Sequence, residues 1–144
     1  MNLTNEVSIT FPSKSSNESY ARAAVSAFAA QLDPTLEEIG DIKTAVSEAV
    51  TNCIVHAYPE TVGKIYIRLR IFEGNVLEIV IRDKGLGITN IDEARTPMFT
   101  TGGSDRSGMG FTIMESFTDR MRVKSSVGRG TTVVMQKRIA PRMR

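Results

Sequence analysis

The chain has 144 residues, 18 of them basic and 16 acidic, for a formal net charge of +2, so nothing demands nucleic acid as a partner and the length suits one domain. With 41% hydrophobic and 24% charged residues, the composition is that of a soluble globular protein able to form its own core. The single cysteine, Cys53, excludes an internal disulfide framework and a cysteine-based zinc site and suits a reducing cytoplasm; no apolar run approaches the ~20 residues of a membrane span, and the N-terminus does not read as a secretory signal.

Residues 7–11 alternate Val7, Ile9 and Phe11 against polar neighbours, which predicts a strand. A polar break follows. Ser15 and Glu18 have capping-box spacing, so the first helix is expected from near Ser16 to about Gln31. Asp33 then Pro34 reads as a helix N-cap with proline at the first helical position. The second helix should reach about Ala57, with Ile39, Ile42, Val46, Val50, Cys53 and Ala57 at helical spacing, and Pro59 should stop it.

Residues 64–72 alternate cleanly, with Ile65, Ile67, Leu69 and Ile71 on one face. A turn at Glu73-Gly74-Asn75 leads into a partner strand over 76–82. Residues 83–90 read as a glycine-rich loop, and 91–95 as a short helix at most. Residues 96–107 lack any period and predict a mobile segment. A helix over 109–117 and strands over 120–127 and 131–137, joined at Gly128 to Gly130, complete the pattern. The core is expected over about 7–138. The basic residues Lys137, Arg138, Arg142 and Arg144 belong to a short solvated tail, with 139–144 outside the core. The order predicts an α+β two-layer sandwich: a mostly antiparallel mixed sheet with helices on one face.

Three strings carry chemistry. Glu48 and Asn52 are four apart, one helical turn and about 40° in direction, on the flank of the apolar stripe. An amide oxygen suits a hard cation such as magnesium, and a carboxylate can take a proton from a hydroxyl. Taken alone, the pair also reads as a polar helix flank. Asp83-Lys84-Gly85-Leu86-Gly87 follows a strand; its carboxylate can accept a hydrogen bond from an exocyclic amine, and Gly85 and Gly87 let backbone approach a flat base. Asp-Lys-Gly also makes an ordinary turn. Gly108-Met109-Gly110 opens a helix after Arg106, offering free N–H groups and a bidentate donor to anionic oxygens. It is neither a Walker A loop nor a dinucleotide fingerprint.

The order of these strings, closed by Gly130-Thr131-Thr132 in a late strand, resembles the ATP-binding (Bergerat) fold shared by gyrase, Hsp90, MutL and histidine kinases. Within that superfamily the chain resembles the bacterial anti-sigma serine kinases of the sporulation anti-sigma F type. The carrying strings are SNESYARAAVSAFAAQLDPT, KTAVSEAVTNCIVHAY, IRDKGLGI, FTT and RSGMGFTIMESF. The resemblance implies ATP and ADP as nucleotides. It implies Asn52 as the magnesium ligand and Glu48 as the general base toward a serine hydroxyl. Asp83 would bind adenine N6, with Gly85 and Gly87 beside the base and Thr131 in a water-mediated contact. Thr100 and Thr101, in the FTT string within a lid over 96–107, would bind the nucleotide. Gly108, Met109 and Gly110 would meet the phosphates and Arg106 the terminal one. The stretch after FTT, GGSDRSGMG, is a glycine-rich departure from the family pattern.

It also implies a sigma factor and an anti-anti-sigma protein substrate as partners, a homodimer, a cytoplasmic location, and no direct contact with nucleic acid or membrane. Arg22 falls in a string that resembles the family's partner-binding helix and would contact the sigma or anti-anti-sigma partner; it also reads as a solvated helix charge. His56, four residues after Asn52, reads as a packed or capping histidine. Two rival readings stay open: an ATP-gated binding module without transfer, and a histidine-kinase-type ATPase domain.

Overall fold

A computed structural model of the chain describes residues 2–88 and 110–141. Strand β1 (Leu3–Pro12) leads into helix α1 (Asn17–Ala29), a short 3-10 turn (Ala30–Leu32) and helix α2 (Leu36–Asn52). Strands β2 (Lys64–Phe72) and β3 (Val76–Asp83) follow, then helix α3 (Gly110–Ser116) and strands β4 (Arg120–Ser126) and β5 (Gly130–Arg138).

The five strands form one sheet in the order β1-β2-β3-β5-β4, with every pairing antiparallel. The alternation read in β2 is obeyed: Ile65, Ile67, Leu69 and Ile71 are buried. They share the core with Ile79, Ile81, Val133 and Met135 of the sheet and with Val25, Ile42, Val46 and Val50 of the helices. Helix α2 packs against both α1 and α3. This is the two-layer α+β sandwich predicted, and burying one face of each element supplies most of its stability. The other face of the sheet carries long polar side chains. Arg70 Nε donates to Glu6 at 2.8 Å, and Arg82 and Lys84 lie over the Tyr66 ring. Among the described residues no helix is long and apolar enough to cross a membrane.

Four local expectations are corrected. Strand β1 starts earlier than the alternation suggested, and its Val7 is 39% exposed, so only Phe11 of the three alternating residues is buried and Ile9 is half-buried. Sitting at the sheet edge, the strand outruns its cover.

The first helix has no capping box. Its N-cap Ser16 has right-handed φ and ψ and makes no side-chain cap. Glu18 instead accepts a hydrogen bond from Ser47 Oγ on α2 and pairs with Arg22. Its carboxylate is used between helices rather than at a helix start.

Asp33 does not cap α2. The residue before a proline is kept out of the right-handed α region, and Asp33 turns left-handed (φ 52) to close the 3-10 turn. The cap is Thr35. Its Oγ1 accepts from Glu38 N at 3.0 Å, and Glu38 Oε1 accepts from Thr35 N at 2.9 Å, a reciprocal box. Burial pushes the Glu38 carboxyl up, but hydrogen bonds from the backbone of Thr35 and Ala140 outweigh it and hold it below its ordinary value. Thr35→Ala should therefore cost about 1 kcal/mol, read as a lower urea midpoint with an unchanged slope.

The segment after β5 is not a free tail. Ile139 is fully buried. Its N–H donates to Asn75 O at 2.9 Å, and Ala140 N donates to Glu38 Oε2 at 3.1 Å. An apolar residue straight after two basic ones was the signal. Arg142 and Arg144 lie outside the described residues.

Candidate functional site

Helix α2 ends at the site. Ala45, Val46, Ala49 and Val50 are buried in the core, which leaves Glu48 and Asn52 half-buried on the flank. Beyond Asn52 the backbone widens into a π-helical turn over Cys53–Ala57, closed by Tyr58 N donating to Cys53 O at 3.1 Å. His56 lies half-buried in this turn. Across from Asn52 stands Gly110, the first residue of α3. A Cβ there would lie 3.1 Å from Asn52 Oδ1 and 3.2 Å from Nδ2, so the bare α-carbon leaves the space that the amide fills.

Asp83 closes β3 and is 5% exposed. Its Oδ1 accepts from Gly85 N at 3.0 Å and from Thr131 N at 3.2 Å. Its Oδ2 accepts from the Cys53 thiol at 3.5 Å. Burial pushes the Asp83 carboxyl up, and these three donors oppose that shift. Burial, then the charge of Asp83, pushes the Cys53 thiol well up, so the thiol keeps its proton and remains the donor.

Thr131 on β5 is buried, and its Oγ1 lies 2.7 Å from Ser125 Oγ. Ser125 donates its one proton to Gly130 O at 3.1 Å, so Thr131 is the donor between the two hydroxyls. Ser125 Oγ also accepts from Ile88 N at 2.7 Å. The loop after Asp83 is thus pinned to the β4–β5 hairpin.

The opposite side of that loop rests on the π turn. Leu86 N donates to Ala57 O at 3.1 Å, and a Cβ on Gly85 would sit 2.3 Å from the same oxygen. Gly87, at positive φ, lies against Ser126 O.

The structure thereby places Asn52 beside Gly110, and Asp83 beside Gly85 and Thr131, with Cys53 joining the two groups. The one amide oxygen of Asn52 fits a hard divalent cation, and the carboxylate at the strand end fits an amine donor. Arg22 lies on α1, 42% exposed, its Nε 3.1 Å from Glu18 Oε1. Through Ser47 this ion pair reaches the residue preceding Glu48. Thr100, Thr101, Arg106, Gly108, Met109 and the lid expected over 96–107 lie outside the described residues.

Three participants escaped the sequence reading. Cys53 passed as one more apolar position. Tyr58, whose hydroxyl accepts from Lys84 N at 2.7 Å, falls between the expected helix end at Ala57 and Pro59 and carried no expectation of its own. Ser125 shares a strand face with Met121 and Val123, and a hydroxyl on an otherwise apolar face was the available signal.

Residues 11–137 match the histidine kinase-like ATPase domain family. The anti-sigma F factor of Thermoanaerobacter sp. (strain X514) is 54% identical over 140 residues, 96% of this chain and 97% of that protein. The anti-sigma F factor of Geobacillus thermodenitrificans is 51% identical over 139 residues, 96% of this chain and 95% of that protein. In fold, the chain is similar to a crystal structure of the RsbU and RsbW domains of a Mycobacterium tuberculosis protein. The TM-score is 0.70 at 20% identity, over 98% of this chain and 34% of that one. The chain belongs to the histidine kinase-like ATPase domain family and, within it, to the anti-sigma F factors.

Proposed function

We propose that this chain is an ATP-dependent protein serine kinase and anti-sigma factor. It binds a sporulation sigma factor when ATP is present and keeps it from RNA polymerase. It also phosphorylates a serine of an anti-anti-sigma protein, working as a cytoplasmic homodimer without direct contact to nucleic acid or membrane. The names of its relatives support the partner class. The observation that carries the nucleotide reading is the carboxylate of Asp83, held at a strand end by three donors.

In this reading, Asp83 Oδ2 accepts the adenine amine and the Thr131 hydroxyl holds a water against the same base. Asn52 supplies an amide oxygen to magnesium. The bound ion offsets charge on the phosphate oxygens. Gly108, Met109, Gly110 and Arg106 meet the phosphates, and Thr100 and Thr101, within the lid, join them on the nucleotide. Glu48 takes the proton as the serine oxygen bonds to the terminal phosphorus. The bond from that phosphorus to the bridging oxygen breaks, and ADP leaves. Arg22, steadied by Glu18, meets the protein partner.

Incubation with terminally labelled ATP and the anti-anti-sigma protein tests this. The expected product is acid-stable, alkali-labile label on a serine. Acid-labile label would favour histidine-kinase chemistry, and nucleotide binding with no label would favour a switch without transfer.

A further inference from the structure

Three hydrogen bonds join the end of α2 to the loop that starts at Asp83. The Cys53 thiol donates to Asp83 Oδ2 at 3.5 Å, Lys84 N donates to Tyr58 Oη at 2.7 Å, and Leu86 N donates to Ala57 O at 3.1 Å. The donor and acceptors on the helix side all come from the π turn and the residue that closes it. Tyr58 gives its own proton to Lys64 O at 2.8 Å, so its hydroxyl is anchored to the start of β2 while it holds the loop. Tyr58 is 8% exposed, and a Cβ at Gly63 would overlap its ring, so the phenol has one place to sit. Ala57 O is among the carbonyls a helix end leaves without an intrahelical partner. Gly85 approaches that oxygen too closely for any side chain.

We infer that the π turn Cys53–Ala57 and Tyr58 form a positioning clamp, which sets the Asp83 carboxylate for a purine 6-amine and ties it to the helix end that carries Asn52. The inference rests on the reading of Asp83 as the amine acceptor. Cys53 and Tyr58 are positioning residues here, acting through Asp83 and Lys84. The thiol occupies one lone pair of Oδ2 and directs the remaining one. The phenol fixes the peptide that follows the carboxylate. A helix continuing with i to i+4 bonding would turn Ala57 and Tyr58 to different directions. Such widened turns recur at functional sites in helices.

The test compares affinities for ADP and for IDP, which carries an oxygen in place of the amine. Wild type, Tyr58→Phe, Cys53→Ala and Cys53→Ser are titrated as folded full chains with magnesium present. Wild type should prefer ADP. Tyr58→Phe and Cys53→Ala should each weaken ADP by about fivefold and IDP by less than about twofold, as expected for hydrogen bonds felt only through the amine contact. Cys53→Ser, which keeps a donor, should stay within about twofold of wild type for both. Equal weakening of ADP and IDP, or no change in their ratio, overturns the clamp while leaving Asp83 as the amine acceptor. A wild type with no preference for ADP removes the amine-acceptor reading and the clamp with it. If Cys53→Ala fails to fold, Tyr58→Phe and Cys53→Ser decide. Amide exchange at Lys84 gives a check free of nucleotide: Tyr58→Phe should speed it, and unchanged protection overturns the clamp.

Discussion

Glu48→Ala is expected to cut phosphoryl transfer by about 10²–10⁴-fold while ATP affinity stays within about threefold. Glu48 sits one turn before Asn52 on the same flank of α2, below the apolar positions that lock the helix to the sheet. Removing a carboxylate that acts only when a hydroxyl proton is transferred lowers the rate and leaves ground-state binding alone. Asn52→Ala should do the opposite first, weakening magnesium-dependent nucleotide binding, if the amide oxygen beside Gly110 holds the ion as proposed. Single-turnover transfer to the protein substrate, measured with equilibrium nucleotide binding, separates the two. Wild-type transfer rates in Glu48→Ala would take Glu48 out of the base role.

Gly130→Ala should destabilise the fold by about 3 kcal/mol and abolish nucleotide binding. Gly130 has φ +112, and a Cβ there would lie 2.1 Å from Asp83 O and 2.7 Å from Lys84 Cα. Both are backbone atoms, so no side chain can swing aside. The left-handed strain contributes about 1–2 kcal/mol, and the overlap adds a penalty of the kind seen on overpacking. Relief requires β3 to shift at the residue that carries the site carboxylate. Gly128→Ala is the control. It also has positive φ (+80), but a Cβ there meets nothing within 4 Å, so it should lose about 1 kcal/mol and keep binding. Urea unfolding of both variants, with ADP titration of the folded protein, gives the comparison. Similar losses in the two would mean that the contact with Asp83 is not what Gly130 protects.

The fold was legible where one face is buried and the other is wet. The alternation of β2 states its own burial; of the stripe expected on α2, Ile42, Val46, Val50 and Cys53 are buried while Ile39 and Ala57 are half-buried, and the small Ala45 and Ala49, buried beside them, carry too little hydrophobic signal to stand out. Ends were harder. Asp33-Pro34 and Thr35 with Glu38 both carry helix-start signals, and backbone geometry at the residue before proline decides between them. The π turn has no mark in the sequence, because Cys53 and Ala57 continue an α-helical spacing.

At the site, the separate strings named Asn52, Asp83 and Thr131. Their adjacency depends on long-range pairing: β3 beside β5 brings Thr131 N to Asp83, and α3 against α2 brings Gly110 to Asn52. Cys53 was read as an apolar filler because burial and a hydrogen-bonding thiol look alike in a hydrophobic pattern.

The contact between Ala140 and Glu38 spans 102 positions of the chain, and Ile139 seats in the same core as α2. During synthesis, the N-terminal half can draft its helices early, but the start of α2 gains its last bonds only when residues 139 and 140 have cleared the ribosome. A nascent chain stalled before that point should therefore present an unfinished nucleotide helix to proteases and chaperones.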